Sequence, residues 1–179
     1  MTGNSVDLSP LAAASLRILL MGASGALSRR VIDPVRSLHQ CDFVSADDLL
    51  EQEIAGRTAL GSAAARARAS GRPVHDETML AVMRRWFFSR KSNRGFVLAG
   101  FPGSVAQALV FDQWLDERDE SLTACLWLDE SGTSTAVNEV GAHHVAAHYR
   151  ERGLLFTVDG SGSPDAAWLS AALALAADR

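Results

Sequence analysis

The sequence predicts an α/β fold with a five-stranded parallel sheet covered by helices on both faces. Two observations support this: five short apolar runs recur along the chain, and segments with helical patterns separate them. The runs are RILLM (17–21), CDFV (41–44), FVLA (96–99), ACLWL (124–128) and LLFTV (154–158). We expect a single domain over residues 1–179, a length sufficient for one full core.

The apolar runs are predicted strands because each is apolar on both of its alternating faces. Strands buried between two helical layers have this composition, whereas a strand with one wet face alternates apolar and polar residues. Parallel strands of this kind are joined by right-handed crossovers.

The first predicted helices follow the second strand. Residues 45–55 begin at Ser45, a suitable N-cap with Asp48 three residues later. The pattern TALGSAAARARASG ends at Gly71, which suits the position just after a helix. Asp76 can cap the next helix, which carries an apolar stripe. The stripe comprises Met79, Val82, Met83, Trp86 and Phe87.

Three further helices complete the pattern. SVAQALVFDQWLDER repeats the stripe at Val105, Ala108, Phe111 and Leu115, and VNEVGAHHVAAHYRER follows the fourth strand. Ser163 and Pro164 suit the start of a last helix. The long connection 45–95 holds three helical segments, which predicts a helical excursion beside the sheet.

Composition limits the classes of function. The net charge of −4 and the isoelectric point near 5.7 argue against nucleic-acid binding. No apolar run approaches the roughly 18–20 residues that span a bilayer, so we expect no membrane association. The beginning of the sequence does not resemble a signal peptide, and we expect a cytoplasmic protein. Cys41 and Cys125 lie in or beside apolar runs and are expected to be free thiols.

A glycine-rich stretch, GASGALSRR, follows the first strand, where α/β folds often bind phosphate. A working phosphate-binding loop reads GxxxxGK[ST], but Leu27 and Ser28 replace its final glycine and its lysine. Pro34 favours a later helix start, which would weaken an anion site. A plain strand–turn–helix connection and a degenerate phosphate-binding loop both remain open. The loop would comprise Gly22, Ala23, Ser24, Gly25, Ala26, Leu27, Ser28 and Arg29.

Four segments, in the right order, resemble the adenylate kinase or nucleoside monophosphate kinase family. SADDLL (45–50) resembles STGDMLR, and residues 55–77 resemble AGTxLGxxAxxxxxxGxLVxDE. GFVLAGFPGSVAQA (95–108) resembles GFLLDGFPRTxxQA, and residues 149–168 are similar to YxxxGxLxxIDGxGxxxxVF. The resemblance spans most of residues 17–175. It implies a P-loop fold in which residues 45–75 form a helical monophosphate-binding subdomain, while 16–44 and 76–179 form the core.

The resemblance also implies a nucleoside pocket. Ser45 stands where the family's threonine meets the nucleoside, and Gln107 matches the glutamine that hydrogen-bonds adenine. The remaining positions line the same pocket: they are Arg72, Pro73, Val74, Gly100, Phe101 and Pro102.

The phosphate-handling residues of the family are replaced. Ser28 stands at the lysine of the phosphate-binding loop, Ala99 at the aspartate of DGFPR, Gly103 at its arginine, and Leu50 at the arginine of TGDMLR. The segment after the fourth strand is too short for an arginine-bearing lid, so we expect the lid to be missing or minimal. Because phosphoryl transfer depends on such charges, no residue is predicted to be catalytic.

Three hypotheses follow. The first is a pseudoenzyme that keeps a nucleoside or nucleotide pocket, or binds a protein partner. The second is an active kinase that uses Mg²⁺ and ATP, with charge supplied from new positions. The candidates for that charge are Arg29, Arg30, Arg57, Lys91 and Arg94. The third is an interaction module without a ligand, to which Phe88, lying off the apolar stripe, could contribute.

Three histidines, His143, His144 and His148, share one predicted helix. No cysteine pair or HExxH pattern completes a metal site around them. We expect them to be solvated on the helix surface, with no metal bound.

Overall fold

In the computed structural model, the strands lie at or within one residue of the predicted apolar runs. The structure describes residues 16–22, 41–92, 94–129 and 139–159. Its strands are β1 (Arg17–Met21), β2 (Asp42–Ser45), β3 (Phe96–Ala99), β4 (Ala124–Asp129) and β5 (Leu155–Asp159). Its helices are α1 (Ala46–Ala55), α2 (Ala59–Ala69), α3 (Asp76–Ser89), α4 (Val105–Glu117) and α5 (Glu139–Glu151). The helix predicted from Ser163 and the later helix start predicted at Pro34 lie outside the described residues.

The strands form one parallel sheet in the order β2-β3-β1-β4-β5, which confirms the predicted fold class. Strand β3 pairs with β1 on one side and with β2 on the other. In this register Ala99 lies beside both Leu20 and Ser45. The carboxyl ends of β1, β2 and β3 are therefore level with one another.

Both faces of the sheet are buried, as the composition of the strands predicts. Leu19, Leu98 and Cys125 belong to the core cluster formed with helices α3, α4 and α5. Their neighbours Ile18 and Val97 point to the other face and are also buried. Continuous apolar runs follow directly from this double burial.

The apolar stripe of α3 packs into an aromatic core, as predicted. Val82, Met83 and Phe87 are buried, and the Phe87 ring meets Phe111 edge-on at 5.4 Å between centroids. Phe88 lies off the stripe and remains 38% exposed. The prediction that it contributes to a partner surface stays a prediction.

The start of α3 differs from the expectation. Its N-cap is His75 rather than Asp76, and the His75 side chain makes no capping hydrogen bond. Asp76 is the first residue of the helix, and its carboxylate instead accepts hydrogen bonds from Ser104 and Gln107. The predicted N-cap at Ser45 is confirmed: its hydroxyl oxygen accepts a hydrogen bond from the Asp48 backbone N–H at 3.3 Å.

A buried carboxylate organises the amino-terminal edge of the sheet. Glu120 is 5% exposed and accepts hydrogen bonds from Arg17, Arg90 and Arg118. The Arg90 guanidinium lies 4.5 Å from the centroid of the Phe87 ring. Burial lowers the pKa of Arg90, and the hydrogen bond with Glu120 opposes that effect. This cluster ties β1 to the ends of α3 and α4.

His148 is not solvated, contrary to the expectation from the sequence. Its Nε2 lies 2.8 Å from an oxygen of Asp112, whose carboxylate also accepts hydrogen bonds from Tyr149 and Arg152. The helix position of His148 faces α4, where Asp112 is buried, and a buried carboxylate needs polar partners. His143 and His144 are exposed. Within the described ranges, no cluster of three or more histidine, cysteine or acidic side chains could hold a metal ion.

Cys41 and Cys125 are both buried, and neither forms a disulfide. Burial raises the pKa of the Cys125 thiol to about 12. None of the helices in the described part of the chain is long and apolar enough to cross a membrane.

The excursion depends on a close crossing of α1 and α2 at Gly61. A Cβ atom on Gly61 would lie 2.0 Å from the Glu53 carbonyl oxygen, which belongs to α1. We therefore expect Gly61→Ala to lower the free energy of unfolding by about 1–3 kcal/mol, because the added methyl group overpacks the crossing. This loss exceeds the gain expected from the higher helix propensity of alanine. Urea-induced unfolding measures this. Ser62→Ala in the same helix is the control and should change stability by less than about 0.5 kcal/mol. A gain in stability for Gly61→Ala would contradict the close crossing.

Candidate functional site

Two parts of the predicted pocket, Ser45 and the loop after β3, lie at the carboxyl ends of β2 and β3. Because Ser45 and Ala99 are paired in the sheet, the loop after β3 begins beside the start of α1. Gly100 has a φ of +77°, in the left-handed region that favours glycine. A Cβ there would lie 3.7 Å from the Cβ of Ala46. Ser45 and the loop 100–104 therefore meet at one edge of the sheet.

The Ser45 hydroxyl caps helix α1 through its oxygen and still has its own hydrogen to donate. Its oxygen accepts the capping hydrogen bond from Asp48, and its O–H remains a donor. The side chain is half-buried. It can cap α1 and meet a ligand at the same time.

Phe101 lies in the core rather than on a pocket wall. Its side chain is 1% exposed and its ring stacks on Trp114 at 6.4 Å between centroids. Pro102 is also buried. The ring packs between the sheet and α4, and the expectation that Phe101 lines the pocket stays a prediction that concerns its backbone. Only its backbone is available there.

Gln107 is the centre of a polar network. It is 6% exposed, and its Nε2 donates to the Asp76 carboxylate at 2.7 Å. Its Oε1 accepts from the Gly103 backbone N–H at 2.8 Å. The Ser104 hydroxyl donates to the other oxygen of Asp76 at 2.7 Å. The network therefore joins the start of α3 to the start of α4.

The network determines the orientation of the Gln107 amide. A carboxylate only accepts hydrogen bonds and a backbone N–H only donates. Nε2 must therefore face Asp76, and Oε1 must face Gly103. One N–H of Nε2 and one lone pair of Oε1 remain for a ligand.

The segment 72–74 ends two residues before Asp76 in the chain, and Asp76 belongs to the network. Arg72 and Pro73 are exposed, whereas Val74 packs against a small cluster formed by Leu50, Ala64 and Val82. The segment thus connects the core of the excursion to the residues around Gln107. Its backbone can contribute to a pocket there.

Four positions are predicted to replace the family's phosphate-binding charges: Ser28 lies outside the described residues, and Leu50, Ala99 and Gly103 are apolar. The assignment of Leu50 needs a correction, because counting STGDMLR from Ser45 places its arginine at Glu51, which is exposed and accepts a hydrogen bond from Arg68. Leu50 is 1% exposed and belongs to the core of the excursion. Ala99 is also buried. Gly103 is exposed, and among the described residues a Cβ there would meet only Gln107 Oε1, at 3.6 Å.

Gly22 begins the glycine-rich stretch in a conformation that suits glycine. Its φ is +74°, and a Cβ would lie 2.6 Å from the Leu128 carbonyl oxygen. The Trp127 indole lies beside it. The other residues of the predicted phosphate-binding loop lie outside the described residues. They are Ala23, Ser24, Gly25, Ala26, Leu27, Ser28 and Arg29.

Two cations proposed as replacements lie at the wrong edge of the sheet. Arg94 pairs with Asp42 at 2.9 Å, at the amino end of β2. Lys91 is exposed and precedes the amino end of β3. Neither can reach the carboxyl ends of the strands. Arg57 is exposed between α1 and α2, and Arg29 and Arg30 lie outside the described residues.

Helix α5 reaches across this edge, which the sequence patterns did not predict. A Cβ on Gly141 would lie 2.6 Å from the Gly103 carbonyl oxygen, so the first turn of α5 rests on the loop after β3. The neighbouring His143 contacts the Trp127 ring at 4.8 Å between centroids. The start of α5 therefore spans the gap between β4 and that loop.

Sequence reasoning missed Asp76 and Ser104 as members of the site. Ser104 and Gln107 lie three residues apart at a helix start, directly after a strand and its loop. Such spacing is a signal for an N-cap. This spacing does not predict the contact with Asp76, because Asp76 belongs to a different helix.

The order of the parallel sheet, with Gly22 at the end of β1 level with the loop after β3, is that of an α/β fold of the P-loop kinase type. No family model matches the chain. The adenylate kinase of Prochlorococcus marinus (strain MIT 9313) is 27% identical over 168 residues, 82% of this chain and 91% of that protein. Those of Synechococcus sp. (strain WH7803) and Xanthomonas campestris pv. campestris (strain B100) are also 27% identical, each over 84% of this chain and 93% or 94% of their own length. The chain is therefore a relative of the adenylate kinases, as its motifs predict.

The contact between Asp76 and Gln107 can be tested without a ligand. Gln107→Glu would bring two carboxylates together, and we expect it to lower the free energy of unfolding at pH 7 by roughly 2–3 kcal/mol. Adding Asp76→Asn should recover most of this loss, because the new amide at position 76 can then donate to the new carboxylate at position 107. Urea-induced unfolding of the single and double variants gives the coupling energy.

Gln113→Glu, on the exposed side of α4, is the matched control. It should change stability by less than about 0.5 kcal/mol and show no coupling to Asp76→Asn. Additive effects of Gln107→Glu and Asp76→Asn would contradict the contact.

Proposed function

We propose that this adenylate kinase-like protein is a pseudoenzyme, which binds an adenine nucleoside or nucleotide but does not transfer phosphate efficiently. It would act in the cytoplasm in binding or sensing, or in assembly with a protein partner. The observation that carries the proposal is the sequence AGFPG at residues 99–103, which lacks both the aspartate and the arginine of the family's DGFPR at the carboxyl end of β3.

The nucleoside side of the site is largely kept. Ser45 and Gln107 retain groups that can hydrogen-bond a nucleoside, and the backbone of Gly100 approaches the start of α1. The names of the relatives indicate adenine nucleotides as the ligand class. An adenine base beside Gln107 agrees with both.

The phosphate side has lost its charges. A charge-assisted hydrogen bond contributes about 1.5–3 kcal/mol, and loss of one transition-state donor slows a reaction by roughly 10²–10³. Ala99 and Gly103 cannot supply such interactions, and Glu51, at the arginine of STGDMLR, carries the opposite charge. Residues 130–138, between β4 and α5, contain no arginine or lysine. These positions and this segment therefore supply no cation to stabilise a transferring phosphoryl group.

An active nucleoside monophosphate kinase is the second candidate. It would need Mg²⁺, ATP and cations from new positions. Lys91 and Arg94 lie at the amino-terminal edge of the sheet, which argues against an active kinase. The cations that could still serve one are Arg29, Arg30 and Arg57. The third candidate is a ligand-free interaction module, for which the exposed Phe88 and Leu109 are the apolar side chains to consider.

Calorimetric titration with AMP, ADP, ATP and a bisubstrate dinucleotide, each with and without Mg²⁺, distinguishes these candidates. We expect AMP or adenosine to bind, with no gain from Mg²⁺ or from the bisubstrate compound. A coupled assay of ADP formation should then remain at background. Tight, Mg²⁺-assisted binding of the bisubstrate compound, together with turnover, would contradict the proposal. Absence of binding by every nucleotide would favour the interaction module.

Gly103→Arg tests whether the missing charge at position 103 limits the affinity for a ligand that carries a phosphate. A Cβ at this exposed position would lie at ordinary contact distance from Gln107 Oε1, and a charge-assisted bond would raise the affinity for AMP by about tenfold or more. The affinity for adenosine should stay the same, because adenosine lacks the phosphate. Gly103→Met, of similar length and without charge, is the control and should change neither affinity. Equal effects of arginine and methionine would show that position 103 does not face the phosphate.

A further inference from the structure

We infer that Asp76 is a positioning residue, which holds the Gln107 amide in the orientation that reads the base. The inference rests on the proposed function, since it concerns the same nucleoside pocket. It extends the site to a residue on a different helix, at the junction between the excursion and the core.

Asp76 is itself firmly placed. It is the first residue of α3, and one carboxylate oxygen accepts the Ser104 hydroxyl at 2.7 Å while the other accepts Gln107 Nε2 at 2.7 Å. Ser104 in turn accepts a hydrogen bond from the Gln107 backbone N–H at 3.2 Å. The side chain and the backbone of Gln107 are thus both tied to the same pair of residues.

Asp76 supplies the acceptor that holds the Nε2 end of the Gln107 amide. Without the carboxylate, Nε2 would lose its acceptor and the amide would be held only at Oε1, by Gly103. Rotation about the last side-chain bond would then be less restricted, because this bond has a broad torsional profile. The cost of ordering the amide would fall on ligand binding.

The held amide offers one donor and one acceptor together. A 6-aminopurine has the complementary pair, an exocyclic amino group and a neighbouring ring nitrogen. A purine without the amino group cannot donate to Oε1. The ratio of affinities for adenosine and purine riboside therefore reports the orientation of Gln107, and general destabilisation of the fold would affect both ligands alike.

The test is calorimetric titration of the full chain with adenosine and with purine riboside. The wild type should prefer adenosine by about fivefold or more, the worth of one hydrogen bond. Asp76→Ala should lower the ratio, because the amide is then held only at Oε1. Asp76→Asn should retain it, because its side-chain oxygen still accepts from Gln107. If Asp76→Ala does not fold, Asp76→Glu is the second variant, and its displaced carboxylate should also lower the ratio.

Glu77→Ala is the matched control. Glu77 is exposed and is the other acidic residue in the first turn of α3, so it has a similar effect on the helix dipole. Its removal should leave the ratio unchanged. An unchanged ratio in Asp76→Ala, or an equal loss in Glu77→Ala, would overturn the inference while the nucleoside pocket stands. A wild type that binds neither nucleoside would overturn the proposed function and this inference with it.

Discussion

The pairing of β3 with strands on both sides is the constraint on which the site depends. Because β3 is hydrogen-bonded to β1 and to β2 in matching register, the segments that leave these strands start at the same level. One segment becomes α1, another becomes the loop 100–104, and the third begins at Gly22. A shift of register by one residue would turn each strand over and separate these segments. Burial of both faces makes such a shift costly throughout the sheet.

Polar contacts then join the helices that this sheet supports. At the carboxyl edge, Asp76 connects the start of α3 to Ser104 and Gln107 on α4. At the opposite edge, Glu120 gathers arginines from β1 and from the ends of α3 and α4. Helices α3 and α4 are therefore connected at both ends by hydrogen bonds to carboxylates, half-buried at Asp76 and buried at Glu120. Apolar packing alone is less specific about the relative placement of two helices, so these contacts help to hold the loop after β3 in place.

The elements of the fold could be predicted from local patterns, but the contacts between elements could not. Strand and helix positions follow from burial, periodicity and capping residues such as Ser45, which all act over a few neighbouring residues. Asp76 and Gln107 are 31 residues apart, and Arg17 and Glu120 are 103 apart. Nothing near Asp76 in the chain indicates that its carboxylate serves another helix rather than its own. His148 likewise looked like a surface residue because its partner lies on α4. The nucleoside positions came from family resemblance, and packing then decided that Phe101 belongs to the core.

The contact between Gly141 and the loop after β3 has a consequence for how this protein could change over generations. A Cβ on Gly141 would lie 2.6 Å from the Gly103 carbonyl oxygen, so a larger residue there would push the helix and the loop apart. Position 103 is less restricted, since a Cβ there would lie at an ordinary contact distance of 3.6 Å from Gln107 Oε1. The two glycines therefore differ in the substitutions that they accept, and new side chains would enter this edge of the sheet through the loop rather than through the helix.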